Sequence, residues 1–319
     1  MRKKTTILLT SATMALGLAA FAPSVLADKV AIEPKFTYGE TLTPEQFEKT
    51  RDELGVDNDA EEIQVRVNEL NDLLNDDYPY QQVYSSAYIT PADNNGAISV
   101  EILTPDTITA ITERQYENAA LTAGAVDVDI KVASAVPVDG SGALAGVYKA
   151  FDASGEGLND QAVSVAQDEL NVTSQITQEN KDKEGYSDDL LNAAIAEIKT
   201  TIEDKKEENG GSISSDDIQV IVNNVVNNYN LENVISAENI TAIENQMNKF
   251  SELELSDEQR DQIRNFGEQL QKTGGDLLNK AKTAWENTDP EQKEEMKNEA
   301  TSIWQQIKDF FNDLFNMTF

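Results

Sequence analysis

The stretch that decides the fold is VEILTPDTITAITERQYENAALTAGAVDVDIKVAS, residues 100–134. Its first residues alternate between apolar and polar side chains, as a half-buried strand does, and residues 126–132 alternate in the same way. Between them, residues 104–124 have the spacing of a helix that ends at Gly124. The face that this helix turns toward the sheet consists of aliphatic and small side chains: Ile108, Ile111, Ala119, Ala120 and Ala123. The stretch therefore predicts a strand–helix–strand unit with a closely packed helix.

Strand and helix patterns also precede this unit. Residues 62–67 alternate as a short strand, residues 68–76 continue as one or two helical turns, and residues 82–90 form another strand. Asn95-Gly96 separates that strand from the one over residues 96–103, and this dipeptide favours a hairpin turn. The order strand, helix, strand, strand, helix, strand is typical of a split βαβ, or ferredoxin-like, sheet with one solvated face.

An extra helix and a lead-in are predicted at the start of this region. Residues 43–55 have the pattern of a short helix, with a capping box formed by Thr43 and Gln46 and an end at Gly55. Residues 28–41 are interpreted as an irregular lead-in.

Strand patterns stop after Pro137, and amphipathic helices follow. The apolar spacing predicts a set of acidic helices that pair as helical hairpins. The predicted fold class is therefore α+β: a small split-βαβ sheet domain over residues 28–152, followed by an acidic all-α helical domain over residues 153–319.

The N-terminus has the three parts of a secretory signal peptide. A basic segment, Arg2 to Lys4, precedes an apolar run over residues 7–22, and Val25-Leu26-Ala27 is a small-x-small cleavage site. We therefore expect cleavage after Ala27, secretion of the remaining chain and no transmembrane segment after cleavage. The absence of cysteine favours a bacterial exported protein without disulfides.

Composition excludes several classes of function. The chain has 25 basic and 58 acidic residues, a net charge of −33, and cleavage of the signal peptide would take this charge to −36. Such a charge repels phosphate backbones, so no nucleic-acid partner is expected. The chain has no histidine and no cysteine, which excludes histidine-dependent nucleophilic catalysis and ordinary zinc sites. Chemistry based on carboxylates remains open.

Several motifs together resemble a known family. YGETLTPEQ (residues 38–46), YSSAYIT (84–90) and the long run from Ile98 to Phe151 are similar to the YpuA-like family of secreted Gram-positive proteins of unknown function. The resemblance is clear over residues 38–151 and looser to about residue 250. It implies secretion and an accessory role at the cell envelope, and it implies no catalytic residues.

An acidic loop after residue 151 is a candidate calcium site. Asp152, Ser154, Glu156 and Asp160 have the spacing of the first half of an EF-hand loop, but Val163 stands where a bidentate glutamate is needed. The alternative is a solvated connector between helices. No other cofactor is expected.

The segment Gly140 to Ala145, GSGALA, matches the glycine pattern of dinucleotide-binding loops. Asp139 and Pro137 argue against that interpretation, and a tight turn before a closely packed helix is preferred. A weaker alternative is an anion held by the helix N-terminus.

The C-terminal segment has a broad aromatic face that includes Trp304, Phe310, Phe311 and Phe315. It is interpreted as docking on the helices, with a groove on a protein partner as the alternative and a membrane disfavoured by neighbouring acidic residues.

Two hypotheses for function follow. The first is a secreted, envelope-associated, non-enzymatic binding or accessory protein, with a cell-wall or protein partner held by an exposed sheet face or edge. The alternative is a carboxylate-based hydrolase of cell-wall glycan, for which Glu101 and Glu113 are the pair to test.

Overall fold

The computed structural model describes residues 32–74, 79–92, 98–155, 157–183 and 185–270. The elements in chain order are β1 Lys35–Gly39, α1 Pro44–Leu54, β2 Glu61–Val65, α2 Val67–Leu74, β3 Ser86–Pro91, β4 Ser99–Ile102, α3 Glu113–Ala123, β5 Val128–Ala133, α4 Ser141–Ala153, α5 Asp160–Asn180, α6 Asp188–Glu208, α7 Ser215–Asn228, a 3₁₀ turn Leu231–Asn233 and α8 Ala237–Ser251. Residues 257–270 are also helical. The α+β class is confirmed, and most of the described chain is helical. Within the described ranges, no helix is long and apolar enough to cross a membrane.

The five strands form one mixed sheet in the order β2-β1-β3-β5-β4. Strands β1 and β2 are parallel neighbours joined through α1, and β4 and β5 are parallel neighbours joined through α3. The central pairs, β1 with β3 and β3 with β5, are antiparallel. The sheet thus consists of two βαβ units that meet through β3.

The predicted split-βαβ arrangement is wrong. In a split βαβ unit a further strand lies between the two parallel strands, whereas here both parallel pairs are directly hydrogen-bonded. The predicted hairpin pairing is also wrong, because β5 lies between β3 and β4. Asn95 and Gly96, on which that pairing rested, lie outside the described residues.

The lead-in predicted over residues 28–41 contains a central strand. Its short run KFTYG lacks regular alternation of apolar and polar residues, yet Lys35, Phe36 and Thr37 are all buried. Helix α1 covers one face of this strand and helix α4 covers the other, so it follows the rule for buried strands rather than for half-buried ones.

The helix predicted over residues 104–124 begins later than expected. Thr112 caps α3 in a capping box with Gln115, and Gly124 ends the helix at φ 100°. Upstream, the Thr107 N–H donates to the Thr104 carbonyl, and Ile108 makes a β-bridge to Val138. Tertiary pairing therefore replaces the first helical turns that the periodicity predicts.

Helices cover one face of the sheet and part of the other. Ala87, Ile89 and Ile130 share a core with α3 and α4, as the alternation of β5 predicts. On the opposite face α1 covers Phe36, and the rings of Phe36 and Phe47 have centroids 5.6 Å apart. Beyond α1, the side chains of β4 and β5 on this face are solvated, as Glu101 and Lys131 show.

Helix α4 lies close to the sheet and is buried on almost every side. A Cβ atom on Gly146 would lie 2.3 Å from the Thr37 hydroxyl oxygen, and one on Gly142 would lie 3.2 Å from Val83. Gly140 precedes the helix at φ 110°. The preferred interpretation of GSGALA, a tight turn before a closely packed helix, is confirmed.

The remaining helices form a layer behind α3 and α4. Helix α3 packs along α5, and α5, α6, α7 and α8 pack on one another. One core cluster extends from Ile89 in the sheet through Ile195 in α6 to Met247 in α8. The domain division predicted at residues 152 and 153 stays a prediction.

Candidate functional site

The predicted calcium loop lies at a helix–helix junction. Asp152 is in the last turn of α4, Ser154 follows that helix and Asp160 begins α5, whereas Glu156 lies outside the described residues. The Ser154 hydroxyl donates to the Ala150 carbonyl at 2.9 Å. Over the part of the chain that the structure describes, no three histidine, cysteine, aspartate or glutamate residues are grouped to hold a metal. Calcium binding stays a prediction.

The N-terminus of α4 is capped by an acidic side chain of the protein. The Asp139 Oδ1 atom accepts from the Ser141 main-chain N–H at 3.0 Å and from the Ser141 hydroxyl at 2.9 Å. Because a carboxylate already lies at these donors, the position is unfavourable for an exogenous anion.

The carboxylates of Glu101 and Glu113 have different surroundings. Glu101 is exposed on the solvated face of the sheet, and Glu113 accepts from the Ile102 main-chain N–H at 2.9 Å. This bond gives Glu113 a structural role at the edge of β4. The aromatic residues Trp304, Phe310, Phe311 and Phe315 lie outside the described residues, and their role stays a prediction.

Helices α3, α5 and α6 enclose a polar network, whose first part is the ion pair of Lys199 with Glu169. The Lys199 Nζ atom lies 3.0 Å from Glu169 Oε1, and each of the two side chains is 1% exposed. Lys199 also donates to the Asn118 carbonyl at 3.0 Å, and Thr122 donates to the second carboxylate oxygen at 2.7 Å. Burial lowers the pKa of Lys199, while Glu169 opposes this shift.

The second part of the network surrounds Asp188 at the first residue of α6. Its carboxylate accepts from Thr112 at 2.6 Å, Thr177 at 2.7 Å, Gln115 at 3.0 Å and Asn192 at 3.1 Å. Burial raises the pKa of Asp188, and these four hydrogen bonds oppose the shift.

Two asparagines join the parts of the network. The Asn118 side chain donates to Asn192 at 3.2 Å, and Asn192 donates to Asp188. The network therefore connects the two charged groups of α6, Lys199 and Asp188, through α3. Its hydrogen bonds join side chains of α3, α5 and α6, so the network holds these three helices together.

Our sequence reasoning missed this network. The signal was a polar stripe on α3 at helical spacing, formed by Thr112, Gln115, Asn118 and Thr122. The same segment also carries the small apolar face, and the sequence pattern predicts only that face to be in the core. Both faces are buried, because α3 lies between the sheet and α5.

The two edges of the sheet differ. At the β4 edge, the main-chain N–H groups of Val100 and Ile102 point away from β5 and are bonded by α3. Glu117 accepts from Val100 at 3.3 Å, and Glu113 accepts from Ile102 at 2.9 Å. Burial raises the pKa of Glu117, and Arg114 beside it opposes the shift. Helix α3 thus closes this edge.

The β2 edge is open over its first four residues. Glu61, Ile63 and Val65 form the parallel ladder with β1, as the bonds Glu61 N–H to Pro34 and Glu40 N–H to Val65 show. The alternate residues, Glu62 and Gln64, therefore direct their main-chain groups outward. Within the described ranges, only the Gln64 carbonyl has a bond there, from Lys149 Nζ at 2.5 Å.

The open edge has an acidic surround. Glu61 and Glu62 are 56% and 42% exposed at their side chains, and each has one basic neighbour, Lys35 and Arg51 respectively. Asp57 and Asp59 precede the strand. We call the outward main-chain groups of Glu62 and Gln64, with these side chains, the β2 edge.

Comparison with known proteins gives one family and one relative. Residues 38–273 match a family described as protein of unknown function (DUF1002). The chain is also 28% identical over 211 residues to the uncharacterized protein YpuA of Bacillus subtilis strain 168, a match that covers 65% of this chain and 68% of that protein. No solved structure matches.

Proposed function

Because the chain belongs to the DUF1002 family, whose function is unknown, we propose a function from its own sequence and geometry. The protein is an exported, envelope-associated binding protein without catalytic activity. The binding role is supported mainly by the open β2 edge, because an extended ligand can add to an exposed strand edge through main-chain hydrogen bonds.

The ionisable groups of the interior support a non-catalytic role. A glycan hydrolase needs two carboxyl groups that converge on a groove open to substrate. Among the described carboxyl groups whose pKa is raised, Glu117 bonds Val100 and Arg114, and Asp188 accepts four hydrogen bonds inside the helical layer. These carboxyl groups serve the packing of helices rather than a reaction.

Export is supported by the signal-peptide pattern over residues 1–27 and by the absence of cysteine. A net charge of −36 after cleavage keeps such a protein soluble outside the cell. It also repels anionic wall polymers, so retention at the envelope requires a specific contact or a bridging cation.

The test is expression of the full chain in Bacillus subtilis, followed by fractionation into cytosol, cell wall and medium. We expect an intact mass that starts at Asp28, and part of the protein in the wall fraction. The matched control is Ala27→Arg, which removes the small residue at the cleavage site and should retain the precursor. Protein confined to the cytosol at its full mass would refute export.

The same purified protein distinguishes binding from hydrolysis. Incubated with purified cell walls, it should sediment with them and release no reducing ends. Release of reducing ends that is lost in Glu113→Gln would instead favour the hydrolase.

A further inference from the structure

We propose that the β2 edge binds an extended polypeptide segment in which basic and apolar residues alternate. This inference rests on the proposed binding function and names the class of partner. The partner is identified by three features of the edge: its hydrogen-bonding groups, its charge and the alternation of its side chains.

The hydrogen-bonding groups accept a strand. Glu62 presents both its N–H and its carbonyl outward, and Gln64 presents its N–H. An incoming strand forms a two-bond pair with Glu62 and one more bond with Gln64. The Gln64 carbonyl is already bonded to Lys149 Nζ at 2.5 Å, so the added ladder ends there.

The charge of the edge selects a basic strand. Glu61 and Glu62 lie in the strand, and Asp57, Asp59 and Glu69 lie within a few residues of it. Four basic residues lie near these five carboxylates. Lys35 and Arg51 pair with Glu61 and Glu62, Lys149 pairs with Glu69 at 2.5 Å, and Arg66 follows the strand. Acidic side chains remain in excess and attract a basic segment.

The alternation of β2 selects the pattern within that segment. Successive side chains of a strand point to opposite faces, so Glu62 and Gln64 share one face and Ile63 lies on the other. Ile63 is only half-buried. A neighbouring strand therefore places its basic side chains beside Glu62 and an apolar side chain beside Ile63.

The contrast with β4 supports this assignment. At β4 the outward N–H groups are bonded by Glu113 and Glu117, and strand addition there requires their displacement. At β2 the charged side chains stand on the faces of the sheet, and within the described residues no hydrogen bond occupies the outward main-chain groups of Glu62. Only the second arrangement admits a strand without rearrangement.

The experiment measures binding of the fluorescent heptapeptide Lys-Val-Lys-Val-Lys-Val-Lys to the mature chain, residues 28–319, by anisotropy. We call this the valine peptide. The control peptide has the same sequence and charge, but its two central lysines are methylated at their main-chain nitrogens and so lack the N–H groups that the pairing with Glu62 uses. We expect the valine peptide to bind at least about tenfold more tightly, since main-chain hydrogen bonds contribute roughly three- to tenfold each.

Two variants at one position locate the site. Gln64→Pro removes the outward N–H and no bond of the β1 ladder, a substitution that edge strands tolerate. We expect it to weaken binding of the valine peptide about three- to tenfold. The matched control, Gln64→Ala, keeps the N–H and should bind as the unchanged protein does. Circular dichroism confirms that both variants are folded.

Hydrogen exchange supplies a second readout. The amides of Glu62 and Gln64 should exchange more slowly when the valine peptide is present, and that of Ile63 should change less. Equal binding of the two peptides, or equal binding by Gln64→Pro and Gln64→Ala, would overturn the proposal. So would slow exchange of Glu62 and Gln64 without peptide, or a dimer that Gln64→Pro dissociates, because this chain itself would then occupy the edge.

These outcomes separate the inference from the proposed function. The protein could be retained in the wall fraction while Gln64→Pro binds the valine peptide as tightly as the unchanged protein does. That result would refute peptide binding at the β2 edge and leave the proposed function standing. Conversely, Gln64→Pro could weaken peptide binding and Gln64→Ala keep it while the expressed chain stays in the cytosol. That result would refute export alone.

Discussion

Substitution of Lys199 by methionine tests whether the buried ion pair with Glu169 contributes as much unfolding free energy as its burial predicts. Methionine keeps most of the length of the side chain and removes the charge. Glu169 then keeps the hydrogen bond from Thr122 at 2.7 Å and loses its cation at 3.0 Å, in a position that is 1% exposed. The Asn118 carbonyl also loses a donor at 3.0 Å.

The magnitude follows from the environment of Glu169. Removing one member of a buried pair leaves an uncompensated charge and costs about 3–5 kcal/mol of unfolding free energy. For a chain of this size, 1 kcal/mol corresponds to roughly 2–4 °C, so we expect the melting temperature of Lys199→Met to fall by about 6–20 °C. The assay is thermal and urea unfolding of the mature chain at pH 7, followed by circular dichroism.

Two further variants give this experiment its controls. The pair Lys249 with Asp168 is 2.6 Å apart but 55% and 40% exposed, and Lys249→Met should cost no more than about 1 kcal/mol. The double variant Lys199→Met with Glu169→Leu removes both charges and should recover most of the loss. If Lys199→Met and Lys249→Met lower the stability equally, the interior pair is accessible to water and the reasoning is wrong.

Four other predictions follow from the fold and the sequence. Asp188→Asn should destabilise the protein. The pKa of Asp188 is raised in the folded protein, so between the ordinary pKa of aspartate and this raised pKa the folded state binds more protons than the unfolded state. The unchanged protein therefore gains stability as the pH falls through the raised pKa. The difference in unfolding free energy between the two proteins should therefore grow from pH 7 toward pH 4, and a difference that shrinks contradicts the assignment. Gly146→Ala should cost about 1–3 kcal/mol, because its Cβ atom would lie 2.3 Å from the Thr37 hydroxyl oxygen; unchanged urea unfolding would show that the helix moves freely from the sheet. Millimolar calcium should raise the melting temperature more than sodium of matched ionic strength, through the loop over residues 152–160, and equal shifts would mean general screening. Deletion of residues 304–319 should lower the melting temperature or increase binding of an apolar dye, without loss of liposome binding; an unchanged melting temperature with flotation of the full chain on anionic liposomes would contradict docking.

The local signals of this sequence predicted elements better than pairings. The capping box of Thr43 and Gln46 and the end of α3 at Gly124 were predicted correctly, because capping depends on residues within one turn. The alternation of β5 correctly placed Val128, Ile130 and Val132 in the core. Strand order depends on contacts between distant segments, and the apolar pattern of a strand does not name its neighbour.

The site features were missed for a related reason. Burial of Lys199 and Glu169 depends on three helices that meet side by side, and each residue alone is typical of a solvated helix face. The sequence interprets β1 as a lead-in. Because β1 in fact lies between β2 and β3, β2 is an edge strand, and this depends on the topology. The sequence predicts an exposed sheet face or edge for binding, which stays a prediction, and only the topology assigns it to β2.

The position of β5 between β3 and β4 has a consequence for how the chain reaches its native state. Strands β3 and β4 are synthesised before β5, and they are close neighbours along the chain. A pairing between them would close a shorter loop than the native pairing of β3 with β5 does, and short loops close sooner than long ones. The native sheet requires β5 to take the inner position instead, after α3 has been synthesised. The native order of the sheet is thus complete only after the chain has been synthesised past residue 133.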